Sequence, residues 1–196
     1  MAVDFRITRF LKSAAKLADL PPDIGREVAF AGRSNSGKSS ALNAITGIKG
    51  LARVSKTPGR TQLINLFVLT DVGRFVDLPG YGYAKVPDAV RAGWNRLMEE
   101  YFSFRRALAG LVLVMDIRHP LTDFDTRMLT WVAPLNLPVL VLLNKADKLS
   151  RSAALGIQRR VAAELPGYVR AQVFSAFSGD GVESARLVIA EWFAAD

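Results

Sequence analysis

The chain has 196 residues, half of them hydrophobic, which is enough for one well-buried domain and short for two. It contains no cysteine and a single histidine, so disulfides, thiolate zinc sites and multi-histidine metal sites are excluded. No apolar run could span a bilayer and the first residues do not resemble a signal peptide, so we expect a cytoplasmic protein without membrane insertion. The net charge of +8 predicts an anionic partner, either nucleic acid or a membrane surface, although basic residues can also simply solvate a surface.

The first residues are predicted to form a separate segment. Residues 1–24 form an N-terminal basic arm, which ends at a pair of prolines and precedes a single domain over residues 25–196. The arm mixes cations with apolar side chains, and we expect it to lie on the domain as a strand or a short helix. Its cations are Arg6, Arg9, Lys12 and Lys16.

A glycine-rich segment stands between a strand pattern and a helix pattern. Residues 27–31 predict a buried strand, and residues 40–45 predict a helix that ends at Gly47. Between them lies the spacing glycine, four residues, Gly-Lys-Ser, which is the phosphate-binding loop. Its backbone N–H groups would hold a polyphosphate, Lys38 would contact the terminal phosphates, and Ser39 would ligate Mg²⁺. The loop comprises Gly32, Arg33, Ser34, Asn35, Ser36, Gly37, Lys38, Ser39 and Ser40.

Two further apolar runs, residues 62–69 and 74–78, predict strands that form a hairpin. The second run leads into Asp-Leu-Pro-Gly, at the position of a Walker-B aspartate. We expect Asp77 to hold Mg²⁺ through a water and the Gly80 N–H to sense the terminal phosphate. The predicted motif comprises Asp77, Leu78, Pro79 and Gly80.

The segment before this hairpin carries two candidates for the switch threonine that reaches Mg²⁺ and the γ-phosphate. These are Thr57 and Thr61, and we favour Thr61 because it lies just before the strand, so that closure would swing it over the site. The predicted nucleotide contacts of this segment are Gly59, Arg60, Thr61, Gln62 and Leu63.

A base-reading motif follows the buried run of residues 139–143. The sequence Asn-Lys-Ala-Asp matches the Asn-Lys-x-Asp motif, in which the Asp147 carboxylate accepts hydrogen bonds from guanine N1–H and the 2-amino group. Adenine lacks this donor pair, and unpaired acceptors would disfavour ATP by about 1–3 kcal/mol per lost bond. The Lys145 stem would pack on the ring, and the Ala176 N–H would meet guanine O6. The predicted base site comprises Asn144, Lys145, Ala146, Asp147, Phe174, Ser175 and Ala176.

Strand and helix patterns alternate through the rest of the chain. Helices are predicted from Asp88, Thr126, Ser150 and Val182, with strands over residues 111–115 and 171–174. Trp94 lies on an apolar helical stripe, so we interpret it as a core residue rather than a base-stacking one. The alternation predicts a three-layer α/β domain whose sheet has six strands and is mostly parallel, with one antiparallel strand.

The motifs together resemble those of the EngB family of bacterial GTPases, also called YihA or YsxC, within the TrmE-Era-EngA-YihA-septin-like P-loop GTPases. The resemblance covers nearly the whole chain from about residue 5. It rests on residues 32–40, on 57–62 (Thr-Pro-Gly-Arg-Thr-Gln) and on 77–84 (Asp-Leu-Pro-Gly-Tyr-Gly-Tyr-Ala). Residues 116–120 (Asp-Ile-Arg-His-Pro), with Thr122 and Asp125, resemble a further signature of the family.

The resemblance implies a Ras-like GTPase domain that needs Mg²⁺ and hydrolyses GTP to GDP. It also implies a switch in large ribosomal subunit assembly, with a need in cell division and septation. We expect a monomer whose basic surface binds ribosomal RNA. The alternative is a nucleotide-gated RNA-binding module in which hydrolysis is dispensable. The candidate RNA contacts are Arg6, Arg9, Lys12, Lys49, Arg53, Lys56 and Lys85.

One position departs from the Ras-type pattern. Tyr81 occupies the place of the glutamine that orients the attacking water, so we expect slow intrinsic hydrolysis that the ribosome stimulates. Several related GTPases that lack this glutamine hold K⁺ near the phosphates with an asparagine of the phosphate loop. The resemblance therefore suggests K⁺ binding by Asn35, with a plain loop-shaping role as the alternative.

Overall fold

Alternating apolar strands and amphipathic helices fold into one sheet with helices on both faces. The computed structural model describes residues 3–52, 63–70, 73–80 and 88–194. Its strands are β1 Arg9–Ala14, β2 Arg26–Gly32, β3 Ile64–Val68, β4 Gly73–Asp77, β5 Leu108–Asp116, β6 Val139–Asn144 and β7 Val169–Val173. Its α-helices are α1 Lys38–Thr46, α2 Asp88–Phe104, α3 Asp123–Val132, α4 Arg151–Glu164 and α5 Val182–Ala194.

The strand order is β1-β3-β4-β2-β5-β6-β7. Strand β3 is antiparallel to both of its neighbours, and the other pairings are parallel, so the predicted single antiparallel strand is confirmed. The predicted number of six strands is wrong, because the N-terminal arm supplies a seventh. Five of the six β1 residues are exposed, and β1 is held by backbone pairing with β3 rather than by a buried apolar face. The domain boundary at residue 24 stays a prediction.

The two faces of the sheet bury separate hydrophobic clusters. Helices α2, α3 and α4 cover one cluster, to which Met98, Met128 and Val161 contribute. Helices α1 and α5 cover the other, where Leu42 and Ile189 are fully buried. Trp94 is buried in the first cluster and its Nε1 donates to the Pro79 carbonyl oxygen at 3.3 Å, which confirms its interpretation as a core residue.

A buried carboxylate ties the elements at the amino end of the sheet. Glu27 of β2 is fully buried, and it accepts hydrogen bonds from Arg74 Nε at 2.9 Å and Arg105 Nη2 at 2.7 Å. The Tyr101 hydroxyl donates to the same carboxylate at 3.3 Å. Burial of the phenol, together with the Glu27 charge, raises the pKa of Tyr101 well above its ordinary value. This network joins α2 to β2 and β4.

None of the helices in the four described ranges is both long and apolar enough to cross a bilayer.

Candidate functional site

The phosphate loop lies between the carboxyl end of β2 and the start of α1. Asn35 and Gly37 have φ angles of 66° and 93°, in the left-handed region that tight turns of the backbone require. A Cβ on Gly32 would lie 2.6 Å from both the Ser36 hydroxyl and the Val114 carbonyl oxygen, so glycine is required there. Helix α1 begins at Lys38, within the last residues of the loop, and its first N–H groups and positive dipole end therefore face the preceding loop residues. This geometry suits a bound polyphosphate.

Side chains from α1 and the end of β4 meet beside the loop. Lys38 Nζ donates to the carboxylate of Asp77, which is buried at the last position of β4. Ser39 lies in the first turn of α1, and its hydroxyl makes no hydrogen bond to another residue that the structure describes. Gly80 lies against the loop, since a Cβ on it would stand 3.8 Å from the Ser34 Cα. The structure thus brings together the predicted residues Lys38, Ser39, Asp77 and Gly80.

The side chains at this point fit Mg²⁺. A carboxylate and a hydroxyl are hard oxygen ligands, and Mg²⁺ at phosphate-transfer sites takes one or two of them together with substrate phosphates. Within the described ranges, no three His, Cys, Asp or Glu side chains converge into a metal cage made by the protein alone. Ser39 and Asp77 would therefore hold Mg²⁺ jointly with the phosphates. The third predicted ligand, Thr61, lies outside the described residues.

Asn144, the last residue of β6, joins the phosphate loop to the base-reading segments. Its Nδ2 donates to the Ser36 carbonyl oxygen at 2.9 Å, and its Oδ1 accepts from the Ala176 N–H at 3.1 Å. Gly37 packs so close to Asn144 Nδ2 that a side chain there would overlap it. The Ala176 N–H, expected at guanine O6, already has this partner, and its contact with the base stays a prediction.

Asp147 carries the acceptors expected for guanine. The Ser175 hydroxyl donates to its Oδ1 at 2.7 Å, and Lys148 Nζ lies 3.2 Å from its Oδ2. The hydroxyl hydrogen bond is the largest cause of a pKa for Asp147 below the ordinary value of a carboxyl, with Lys148 adding to it. Asp147 is therefore an ionised group that can only accept hydrogen bonds, which matches the two adjacent donors of guanine.

Lys145 connects the base motif to the phosphate loop from the other side. It adopts a left-handed backbone conformation with a φ of 67°, and its Nζ donates to the Asn35 carbonyl oxygen at 2.6 Å. The same ammonium donates to Asp116 Oδ2 at 2.9 Å. Burial alone would raise the pKa of Asp116, but hydrogen bonds from Arg118 and Lys145 outweigh it and hold that pKa well below its ordinary value.

The role of Asp116 was missed at the level of sequence, where the residue belonged only to a family signature. It ends β5, and the parallel register pairs it with Asn144 at the end of β6. Two polar residues that each follow a buried strand pattern are the signal that could have found it, because the carboxyl ends of neighbouring parallel strands meet at one edge.

Other predicted residues shape the site or lie outside the described ranges. Phe174 is fully buried, and its carbonyl oxygen accepts from the Ala146 N–H at 3.1 Å, so both position the base motif. Leu78 and Pro79 are buried, and Leu63 is half-buried before β3. The predicted residues outside the described ranges are Thr57, Gly59, Arg60, Thr61, Gln62 and Tyr81.

Comparison with known proteins gives consistent matches. A family model described as a 50S ribosome-binding GTPase matches residues 27–145. The probable GTP-binding protein EngB of Coxiella burnetii (strain CbuK_Q154) is 49% identical over 195 residues, or 98% of this chain and 95% of the relative. The protein of the same name from Salmonella paratyphi C (strain RKS4594) is 52% identical over 194 residues, covering 97% and 92%. A crystal structure of a probable GTP-binding protein engB has a TM-score of 0.69 and 25% identity, covering 85% of this chain and 98% of its own.

Proposed function

The chain belongs to the EngB family of GTP-binding proteins, within the 50S ribosome-binding GTPases, and we propose that it is a GTP-controlled switch in the assembly of the large ribosomal subunit. It is a GTPase with a Ras-like P-loop fold. The observation that carries the guanine assignment is the ionised Asp147, held by Ser175 beside a phosphate loop that Asn144 and Lys145 tie to it. A need for the protein in normal cell division and septation, which the family resemblance implies, is part of the proposal.

Guanine selection in this proposal follows from the acceptors that the site already fixes. Ser175 and Lys148 each engage one oxygen of Asp147, so these two contacts restrain the orientation of the carboxylate. ATP would leave the remaining acceptor lone pairs of these two oxygens without donors, at about 1–3 kcal/mol per lost bond. The same carboxylate therefore sets both affinity and specificity.

Hydrolysis in this proposal depends on electrostatic stabilisation of the phosphates. The loop N–H groups and Lys38 would stabilise the negative charge that spreads over the oxygens of the transferred phosphoryl group. When bound, Mg²⁺ supplies charge neutralisation at the β- and γ-phosphate oxygens, and Ser39 and Asp77 are its proposed protein ligands. Because Tyr81 stands in the glutamine position, we propose slow intrinsic turnover that the ribosome stimulates.

We propose that a monovalent cation supplies part of the assistance to hydrolysis that the absent glutamine would give. Asn35 is exposed in the loop, and its side-chain amide makes no hydrogen bond to another described residue, while Lys145 fixes its backbone carbonyl. We propose that this free amide oxygen helps hold K⁺ beside the phosphates. Exchange of K⁺ for Na⁺ should lower the hydrolysis rate, and an unchanged rate would contradict the K⁺ site while leaving the GTPase assignment intact.

Ribosome binding is supported by the family description and by charge. The net charge of +8 suits an RNA-rich partner, and the candidate contacts Arg6, Arg9, Lys12 and Lys49 are exposed. Three other candidate contacts lie outside the described residues: Arg53, Lys56 and Lys85. We propose that the protein acts as a monomer in the cytoplasm.

The test is co-sedimentation of the protein with purified large ribosomal subunits, with a non-hydrolysable GTP analogue, with GDP or without nucleotide. A switch requires the subunit to bind one nucleotide state better than the other, so the GTP-analogue complex should bind more tightly than the GDP complex. Equal binding in all three conditions would contradict the switch.

A second experiment separates the switch from a module in which hydrolysis is dispensable. An Asp77 or Thr61 variant is selected that binds GTP but does not hydrolyse it, and large-subunit assembly is measured in cells that carry only this variant. The switch predicts that the variant stays bound to particles and blocks assembly. Normal assembly would favour the gated RNA-binding module.

A further inference from the structure

The end strand β1 and its flanking residues present an unusual surface. Ile7, Phe10 and Leu11 are 59%, 56% and 42% exposed, so three large apolar side chains lie open within five residues. Cations alternate with them on the same stretch. The β1 edge surface is defined here as Arg6, Ile7, Arg9, Phe10, Leu11, Lys12 and Lys16.

The cations of this surface are free to bind a ligand. None of Arg6, Arg9, Lys12 and Lys16 forms an ion pair with a residue in the described parts of the chain. By contrast, Arg74, Arg105 and Arg118 are each engaged by a buried carboxylate. Arg6 also packs beside Gly47, next to the exposed Lys49, which extends the positive surface along the end of α1. Its charge is therefore available to a polyanion.

A simpler explanation of these exposed residues is that they protect the edge strand against pairing with another chain. This explanation accounts for only part of the surface. Lysine and a β-bulge both discourage edge-to-edge pairing, and β1 has a bulge at Leu11, between the pairs Phe10–Phe67 and Lys12–Leu66. An exposed phenyl ring does not protect an edge. The Phe10 ring packs edge-to-face against the buried Phe67 ring with centroids 5.8 Å apart. The ring is therefore held on one side by the sheet and exposed to solvent on the other.

Fixed aromatic rings among free cations suit single-stranded or unpaired regions of RNA. The cations contact phosphates, while an exposed ring stacks on an unpaired base. We propose that the β1 edge surface is the site at which this protein binds ribosomal RNA. The inference rests on the proposed function, because it names the surface by which the ribosomal subunit is bound.

The same surface lies one strand away from the nucleotide site. A row of paired residues crosses three strands, with Ser13 of β1 opposite Asn65 of β3, and Asn65 opposite Asp77 of β4. The Ser13 hydroxyl donates to Asn65 Oδ1 at 2.7 Å, so β1 and β3 are joined by side chains as well as by backbone. RNA bound at β1 would thus contact a strand that is joined through β3 to β4, which ends at the proposed Mg²⁺ ligand.

The test uses three variants of the full chain loaded with a GTP analogue. They are the double substitution Arg9→Gln/Lys12→Gln, the single substitution Phe10→Ala, and a matched control, Arg159→Gln/Arg160→Gln. The control removes the same charge from exposed positions of α4, which packs on β7 at the opposite edge of the sheet. Binding to large subunits and to protein-free large-subunit RNA is measured over a series of salt concentrations, with thermal unfolding and GTP affinity as checks of folding.

The proposal predicts separable effects for charge and ring. The double substitution should weaken RNA binding at least tenfold and reduce the slope of log affinity against log salt by about 1.5, for two lost phosphate contacts. Phe10→Ala should weaken binding about tenfold with little change in slope, because a stacking contact releases no counterions. The control should bind like the wild type.

The contrary outcomes identify which statement fails. If the wild type binds neither subunits nor RNA, the proposed ribosomal function fails. If the wild type binds and both β1 variants bind equally well, the β1 surface is wrong and the function stands. A third outcome is that the β1 variants lose binding to subunits while the wild type does not bind protein-free RNA. The surface would then bind a ribosomal protein, and the RNA assignment would be overturned.

Discussion

Two buried carboxylates, one at each end of the sheet, are each held between two cations. Near the start of β2, Glu27 lies between Arg74 and Arg105, whose side chains are 10% and 7% exposed. At the end of β5, Asp116 lies between Arg118 and Lys145, whose side chains are 45% and 28% exposed. The chemical groups are alike, and the two clusters differ in whether the cations reach the surface.

This difference separates a structural network from a binding one. The partners of Glu27 are nearly buried, and the cluster joins α2 to β2 and β4 at the end of the sheet opposite the phosphate loop. Lys145, in contrast, also holds the Asn35 carbonyl of the phosphate loop, so we expect Asp116 to act on the proposed nucleotide site through it. A carboxylate between cations at the carboxyl ends of parallel strands is thus in a position to serve binding, and one at the amino ends to serve stability.

The largest expected effect comes from removing the charge of Glu27 from the buried cluster near the start of β2. Glu27→Gln leaves the buried Arg74 without a carboxylate and Arg105 with only Asp23, whose Oδ1 lies 3.5 Å from the Arg105 Nε. We expect the free energy of unfolding to fall by about 3–5 kcal/mol. The GTP affinity of the protein that remains folded should not change. Denaturant unfolding and GTP titration measure the two quantities. A loss of GTP affinity at unchanged stability would contradict the structural role of Glu27.

The next effect concerns the base-reading carboxylate. Asp147→Asn places an amide donor opposite the guanine donors, so two hydrogen bonds are lost and GTP should bind about 100-fold more weakly. Xanthosine triphosphate, which has an oxygen in place of the 2-amino group, should recover part of the affinity. Stability should change little, and Glu99→Gln on the exposed face of α2 provides the control for charge. Unaltered GTP binding by the Asp147 variant would remove the guanine assignment.

A smaller effect is expected from the carboxylate behind Lys145. Asp116→Asn weakens the anchor of Lys145 and thereby its contact with the phosphate loop, so GTP and GDP should each bind about tenfold more weakly. Rapid-mixing fluorescence would show the change mainly as faster nucleotide dissociation. If the variant lost stability while binding GTP normally, Asp116 would be a structural residue like Glu27, and the distinction between the two ends would disappear.

The smallest effect is the pH dependence of the difference in unfolding free energy between the wild type and the Asp116→Asn variant. The pKa of Asp116 is lowered in the folded chain, so its ionised form contributes stability above the ordinary carboxyl pKa of about 4, and the contribution is lost as the pH falls toward the lowered value. The difference in unfolding free energy between wild type and Asp116→Asn should therefore be constant from neutral pH to about pH 5 and shrink below about pH 4. A constant difference down to pH 2 would contradict the assignment.

The sequence predicted best the parts that depend on residues close together in the chain. The phosphate loop and the Asn-Lys-x-Asp segment combine residue types and spacing whose chemistry is the same wherever the fold places them. Lys38 and Asp77 are 39 positions apart, yet each follows its own strand pattern, and the carboxyl ends of β2 and β4 bring them together.

The parts that escaped prediction depend on pairing between distant strands. The arm was expected to form a strand or a short helix, but its place as a seventh strand of the sheet rests on backbone pairing with β3, which the sequence of the arm does not reveal. The role of Asp116 depends on its register with Asn144. The hydrogen bond from the Ala176 N–H to the Asn144 side chain also joins distant residues, and the contact of this N–H with guanine O6 stays a prediction.

The most direct test of the nucleotide site is a competition titration of the wild-type chain with Mg²⁺ and a fluorescent GTP. GTP and GDP should displace the probe, while ATP at the same concentration should displace little of it. Half-displacement should need about a hundredfold more ATP than GTP, because two lost hydrogen bonds correspond to about a 100-fold difference in affinity. Displacement by ATP at the same concentration as GTP would contradict the account, because Asp147 would then not select the base.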